Sequence, residues 1–285
     1  MSSTFYPRGG DLRPTETYPV VQRSGLRFFR HVTRGFVGIF RHVGLRGLFA
    51  RDILRAFGDP GTYVPETLRQ MKNIGVDSVP LAVIVAAFIG SVIALQVRYQ
   101  LFAGVQLSLV GLATRQMIVL ELGPLLTALV LTGRVGARMT AEIGTMRVTE
   151  QIDALETLAY DPIAYLVVPR LLAATVMLPV LTVLADAVGV GSGYIMSVTA
   201  ANIPPKDFKE GLRLAFGVFQ VVYSLIKATM FGTAIAFIGS YEGYITETGA
   251  EGVGRSTARA VVITSVTILV LDALTAVALA QKLQS

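Results

Sequence analysis

Five stretches of this 285-residue chain are apolar for long enough to cross a lipid bilayer, and no other property narrows its fold as much. They cover residues 79–97, 107–132, 163–198, 218–241 and 258–279. A helix of ~20 residues spans a hydrocarbon core of ~30 Å, and each run approaches or exceeds that length. Only 15% of the residues are charged, where soluble domains carry roughly 25%. The expectation is an all-α membrane protein with five transmembrane helices.

Composition excludes several functions. Without cysteine there is neither a disulfide framework nor a thiolate metal site. The two histidines, His31 and His42, lie together in the basic N-terminal region, and no His/carboxylate cluster suggests a metal. No G-x-x-x-x-G-K-[ST] loop is present, so the chain is not its own P-loop ATPase. No nucleophile with a base and orienter stands out. We expect no enzyme and no cofactor.

Charge is concentrated at the N-terminus. Through Lys72 there are twelve Lys/Arg against five Asp/Glu. Residues 1–22 are polar, with Pro7, Pro14 and Pro19, and read as a flexible tail without a secretory signal. Residues 23–72 read as a basic amphipathic interfacial region. There Arg23, Arg27, Arg30, Arg34 and Arg41 share about 60° of a helix, with Phe29, Val32, Phe36, Ile39, Phe40 and Val43 opposite. Such a segment suits anionic headgroups better than nucleic acid, and it favours a cytoplasmic N-terminus. A soluble helix packed on another domain is the alternative. Residues 73–285 form the transmembrane domain. Within it, the run over 166–198 holds Pro169, Pro179, Asp186 and a Gly-rich cluster, and is expected to be kinked, tilted or partly re-entrant.

Between the second and third runs the chain turns polar. Residues 143–158 read as a short cytoplasmic helix, with Ile143, Met146, Ile152, Leu155 and Leu158 on an apolar stripe and Thr149, Glu150, Asp153 and Glu156 largely off it. A solvated surface helix and a partner-docking helix fit this pattern equally. Three carboxylates and one lysine fall within the spans: Glu121, Asp186, Asp272 and Lys227. Glu121 suits either a cavity or the interface, and with Arg98 and Arg115 it could form a cluster at the outer leaflet. Lys227 could pair with Asp186 or Asp272, an arrangement favoured over a proton relay. Gly123, Gly133, Gly136, Gly232 and Gly239 suit close helix packing.

The residues from 121 to 173, ELGPLLTALVLTGRVGARMTAEIGTMRVTEQIDALETLAYDPIAYLVVPRLLA, closely resemble the signature of the MlaE/YrbE permeases, the membrane subunits of MCE-type lipid ABC transporters. A second block, from Lys227 through Gly239, Tyr241 and Gly243 to AEGVGRSTARAVV, resembles the end of that family. Leu120 stands where some of its members carry an arginine. The resemblance implies a permease that moves phospholipid or another amphiphile between the bacterial inner membrane and the outer envelope. It implies a homodimer working with a cytoplasmic ATPase that binds ATP and Mg, a periplasmic MCE-domain protein and, in some systems, a STAS-domain protein. By the same resemblance, Thr145, Met146, Thr149, Glu150, Asp153 and Leu155 would couple to the ATPase. Leu95, Tyr99, Leu120, Glu121, Leu125 and Leu129 are the candidate lipid wall, since one carboxylate among leucines suits an amphiphile. An ion-coupled secondary transporter using Glu121, Asp186 and Lys227, or a non-transporting anchor for an MCE ring, are the rival readings.

Overall fold

The computed structural model describes residues 44–283, apart from 59, 103 and 248. The expected arginine-striped helix therefore lies outside the described residues. The chain divides into two units, 1–49 and 50–285. Of the first, residues 44–49 are described and helical. The second opens with helix α1 (50–56), and every further described element is helical. These are α2 (Pro60–Ile74), α3 (Val79–Gln100), α4 (Ser108–Val148), α5 (Gln151–Thr157), α6 (Ile163–Thr199), α7 (Pro205–Arg213), α8 (Val218–Tyr244) and α9 (Ala250–Leu283). Among the described residues, five helices are long and apolar enough to span a membrane: Tyr63–Gln100, Ser108–Val148, Ile163–Thr199, Val218–Tyr244 and Ala250–Ala278. The protein is a multi-pass helical membrane protein. Helix is the form that satisfies backbone donors and acceptors where lipid supplies none.

Proline shapes two of the spans. Pro124 has no N–H, so the carbonyl of Leu120, four residues earlier, loses its helical donor. The chain answers with a wide π turn over Ile118–Leu122, in which the Gly123 N–H reaches back to the Ile118 carbonyl. The same device recurs before Pro169, where a π turn over Ile163–Val167 closes with the Val168 N–H on Ile163. Pro179 sits inside α6 without ending it. Instead of a re-entrant segment, 163–199 runs as one helix of 37 residues, its excess length carried beyond what a ~30 Å core requires.

The main core lies where α4, α6, α8 and α9 meet. It contains Leu131, Val135 and Met139 of α4, Leu178 and Leu181 of α6, Phe231 and Ile235 of α8, and Ile268 of α9. Helices α3 and α6 approach most closely through glycine: a Cβ on Gly90 would lie 1.9 Å from the Gly189 carbonyl oxygen. The Gly cluster that suggested a kink is thus a contact face. Of the five glycines read as packing residues, Gly123, Gly136, Gly232 and Gly239 do meet neighbours, while Gly133 faces open space. A second cluster, of Val110, Ala201, Ile203 and Phe208, pins α7 against the start of α4 at the opposite end from α5.

Candidate functional site

The π turn at Ile118–Leu122 governs a buried ionic cluster. Lys227 of α8 has no exposed surface, and its Nζ donates to Glu121 Oε2 at 2.8 Å and to the Leu120 carbonyl at 3.3 Å. That carbonyl is the one Pro124 leaves without a helical donor, so the ammonium replaces a missing backbone bond. Asp272 of α9 brings Oδ1 to 2.5 Å from the same Nζ, an ion pair whose approach is off the hydrogen-bonding direction. Two carboxylates therefore share one cation, and the tyrosine ring of Tyr223 lies 5.1 Å from it. Asp186 does not pair with Lys227. Its Oδ2 accepts from Ser224 Oγ at 3.2 Å, and its Oδ1 rests against Gly123 without a donor.

The expected cluster of Arg98, Arg115 and Glu121 does not form. Arg115 is buried and caps the C-terminal end of α7, donating from Nη1 to the Leu212 carbonyl at 2.7 Å and from Nη2 to Leu214 and Ala215. A guanidinium there satisfies carbonyls that the helix end leaves free. Glu121 turns to Lys227 instead, because the π turn redirects it toward α8.

At the other end, residues 143–158 divide between two helices. Thr145 and Met146 belong to the last turns of α4, whose run ends at Val148 with Thr149 as its cap. Glu150 then adopts φ 59°, a left-handed conformation unusual for a non-glycine residue, and α5 begins at Gln151. Ile143 and Ile152 are fully buried, whereas Leu158 is 69% and Tyr160 54% exposed. Of the apolar stripe, only its last member, Leu158, is exposed. Thr149, Glu150 and Asp153 are exposed and Leu155 is half-buried. Arg147 Nη1 donates to Asp153 Oδ1 at 2.7 Å, bracing α5 against the end of α4. Asp161 Oδ1 then accepts from the Ile163 N–H and starts α6.

The residues proposed as a lipid wall are spread over two packing clusters. Leu120 and Glu121 sit beside Lys227, and Leu125 and Leu129 pack at the edge of the main core. Leu95 borders the second cluster, and Tyr99 is 79% exposed. The pairing of Glu121 with Lys227, 106 positions apart, was missed from the sequence. The missing donor ahead of Pro124 was the one local sign that a cation would be needed there.

A bundle of five spans with a polar helix hung between the second and third and an ion cluster around Lys227 defines a multi-pass helical membrane protein. The chain belongs to the MlaE permease family: the family model described as Permease MlaE matches residues 67–278. A probable ABC transporter permease protein of Rickettsia typhi is 39% identical over 233 residues, covering 80% of this chain and 88% of that one. A probable ABC transporter permease protein of Synechocystis is 43% identical over 205 residues, covering 72% and 78%. The intermembrane phospholipid transport system permease protein MlaE of Haemophilus influenzae is 30% identical over 248 residues, covering 87% and 95%. The chain is a permease subunit of the ABC-transporter class.

Proposed function

We propose that this permease moves phospholipid or a related amphiphile between the inner membrane and the outer envelope. It works as a homodimer with a cytoplasmic ATPase that binds ATP and Mg, a periplasmic MCE-domain protein and, in some systems of this kind, a STAS-domain protein. The Haemophilus relative, named for intermembrane phospholipid transport and matched over 95% of its length, supports the cargo. The observation that carries the coupling is α5, a short acidic helix presented between two spans. Thr145, Met146, Thr149, Glu150, Asp153 and Leu155 form the ATPase contact. The N-terminus and α5 face the cytoplasm, and α7 faces the periplasm. Closure of the ATPase dimer pushes on α5, which is joined to α4 at one end and to α6 at the other, so both spans move together. Leu95, Tyr99, Leu120, Glu121, Leu125 and Leu129 then change their fit to the acyl chains and headgroup.

Replacing Glu150 and Asp153 together with lysine tests the contact. The ATPase retained by detergent-purified permease should fall about tenfold or more, the result of losing ~1.4 kcal/mol. Arg147→Gln breaks the Arg147–Asp153 pair without adding charge and should retain the ATPase, which separates docking from local unfolding. A full ATPase complement on the double variant would sink the idea. The excess carboxylate around Lys227 also suits an ion-coupled secondary transporter. Lipid flux that survives inactivation of the ATPase would select that reading, and absence of flux in an intact complex would leave an MCE anchor.

A further inference from the structure

We propose that a polar recess between α2, the last turns of α4 and the first turns of α6 binds the phosphate of an anionic phospholipid headgroup. This site is independent of the cargo path, and it lies at the α5 end of the molecule. The cavity measures ≈ 270 Å³, close to the ~300 Å³ at which pockets begin to hold small molecules.

Its lining carries Arg69, Arg138 and Arg170 against Glu66 and Glu142, which leaves one positive charge, the match for a phosphodiester monoanion. Arg170 is 6% exposed. Its Nη1 donates to the Leu166 carbonyl at 2.6 Å and its Nη2 to Glu142 Oε2 at 3.3 Å, while its Nε has no partner. Glu142 also accepts from Arg138 Nε at 2.7 Å, so one carboxylate serves two guanidinium groups. Two guanidinium groups that share one counter-ion, with the exposed Arg69 across the recess, leave cationic capacity for an added oxyanion. Arg134 lines the adjoining recess with Arg138 and adds to the positive field.

The orientation of α2 points to lipid as the source of that phosphate. Glu66, Gln70 and Asn73 line the recess, with Gln70 Nε2 donating to Glu66 Oε1 at 2.9 Å. The inner side of the same helix also packs Met71 and Ile74 on the main core, and its outer side exposes Val64 and Leu68, at 49% and 67%, beside Arg69 and Lys72. Apolar side chains beside exposed cationic ones suit a headgroup held in the recess while its chains run over Val64 and Leu68 on the outer surface of α2.

The test uses the full chain in detergent without partner subunits, with native mass spectrometry counting retained lipid. Dioleoyl phosphatidylglycerol should bind more tightly than dioleoyl phosphatidylcholine. Arg69→Gln combined with Arg138→Gln should weaken phosphatidylglycerol about tenfold, while an excess of inorganic phosphate should not displace it. Arg255→Gln, which removes a surface ion pair of α9, should bind as the parent does. Should the double variant fail to fold, Arg69→Glu alone gives the same reading, because that side chain is largely exposed. Unchanged phosphatidylglycerol affinity in a folded variant overturns the site. Displacement by inorganic phosphate overturns the lipid as its ligand. Neither result bears on ATPase docking or flux.

Discussion

Lys227 is the residue on which most of the interior polarity converges. Removing one partner of a buried ion pair leaves an uncompensated charge, at a cost of about 3–5 kcal/mol, whereas replacing all partners together is often close to neutral. Lys227→Met leaves Glu121 and Asp272 facing each other and the Leu120 carbonyl without a donor. Thermal unfolding in detergent should show a loss of ~3 kcal/mol for this variant. Adding Glu121→Gln and Asp272→Asn should recover most of it. Failure of the triple variant to recover would mean that the ammonium's bond to Leu120 matters more than its two ion pairs. Asp186 is a separate case, since Ser224 rather than Lys227 serves it. The sequence offered Asp186 and Asp272 as equal partners for Lys227. Composition could not separate them, because the choice depends on how α6, α8 and α9 are rotated about their axes.

At the scale of elements, both ends of the bundle are braced by arginines acting on backbone or on short helices. Arg147 holds α5 through Asp153, and Arg115 holds α7 through three carbonyl oxygens. Hydrogen bonds to a charged donor contribute about 1.5–3 kcal/mol each. Arg115→Gln should therefore raise amide exchange over 205–217 about tenfold, with exchange in α8 and α9 unchanged. Hydrogen-exchange mass spectrometry reads this directly, and equal protection over 205–217 would refute the capping role. The break between α4 and α5 was legible as a polar interruption, but its position was not. Glu150 takes a left-handed turn with no glycine to announce it, because the fully buried Ile143 and Ile152 fix the chain on either side.

For the whole molecule the proposed topology places α5 and α7 on opposite faces of the membrane. The native chain has no cysteine, so single substitutions report accessibility without background. Thr157→Cys and Lys206→Cys both sit at exposed positions. In sealed right-side-out vesicles an impermeant maleimide should label Lys206→Cys and spare Thr157→Cys until the membrane is opened. Labelling of both before opening, or the reverse order, would overturn the orientation. The lysines of the α7 region run against the positive-inside bias, so the outcome weighs the basic N-terminal region against them.

The number of spans, their order along the chain and a polar interruption between the second and third were readable from the sequence. They follow from hydropathy and length, which act on each segment by itself. Pro169 likewise marked a disturbance in the helical ladder of the third span. Which charge meets Lys227, where Arg115 points and which side chains of α2 line the polar recess were decided only by the tertiary structure. Each of these depends on the azimuth of one helix against another. In a bundle whose spans are apolar on nearly every side, hydrophobic periodicity carries little of that information. Close approaches such as Gly90 on Gly189, and the need to satisfy a few buried polar groups, set the rotations instead.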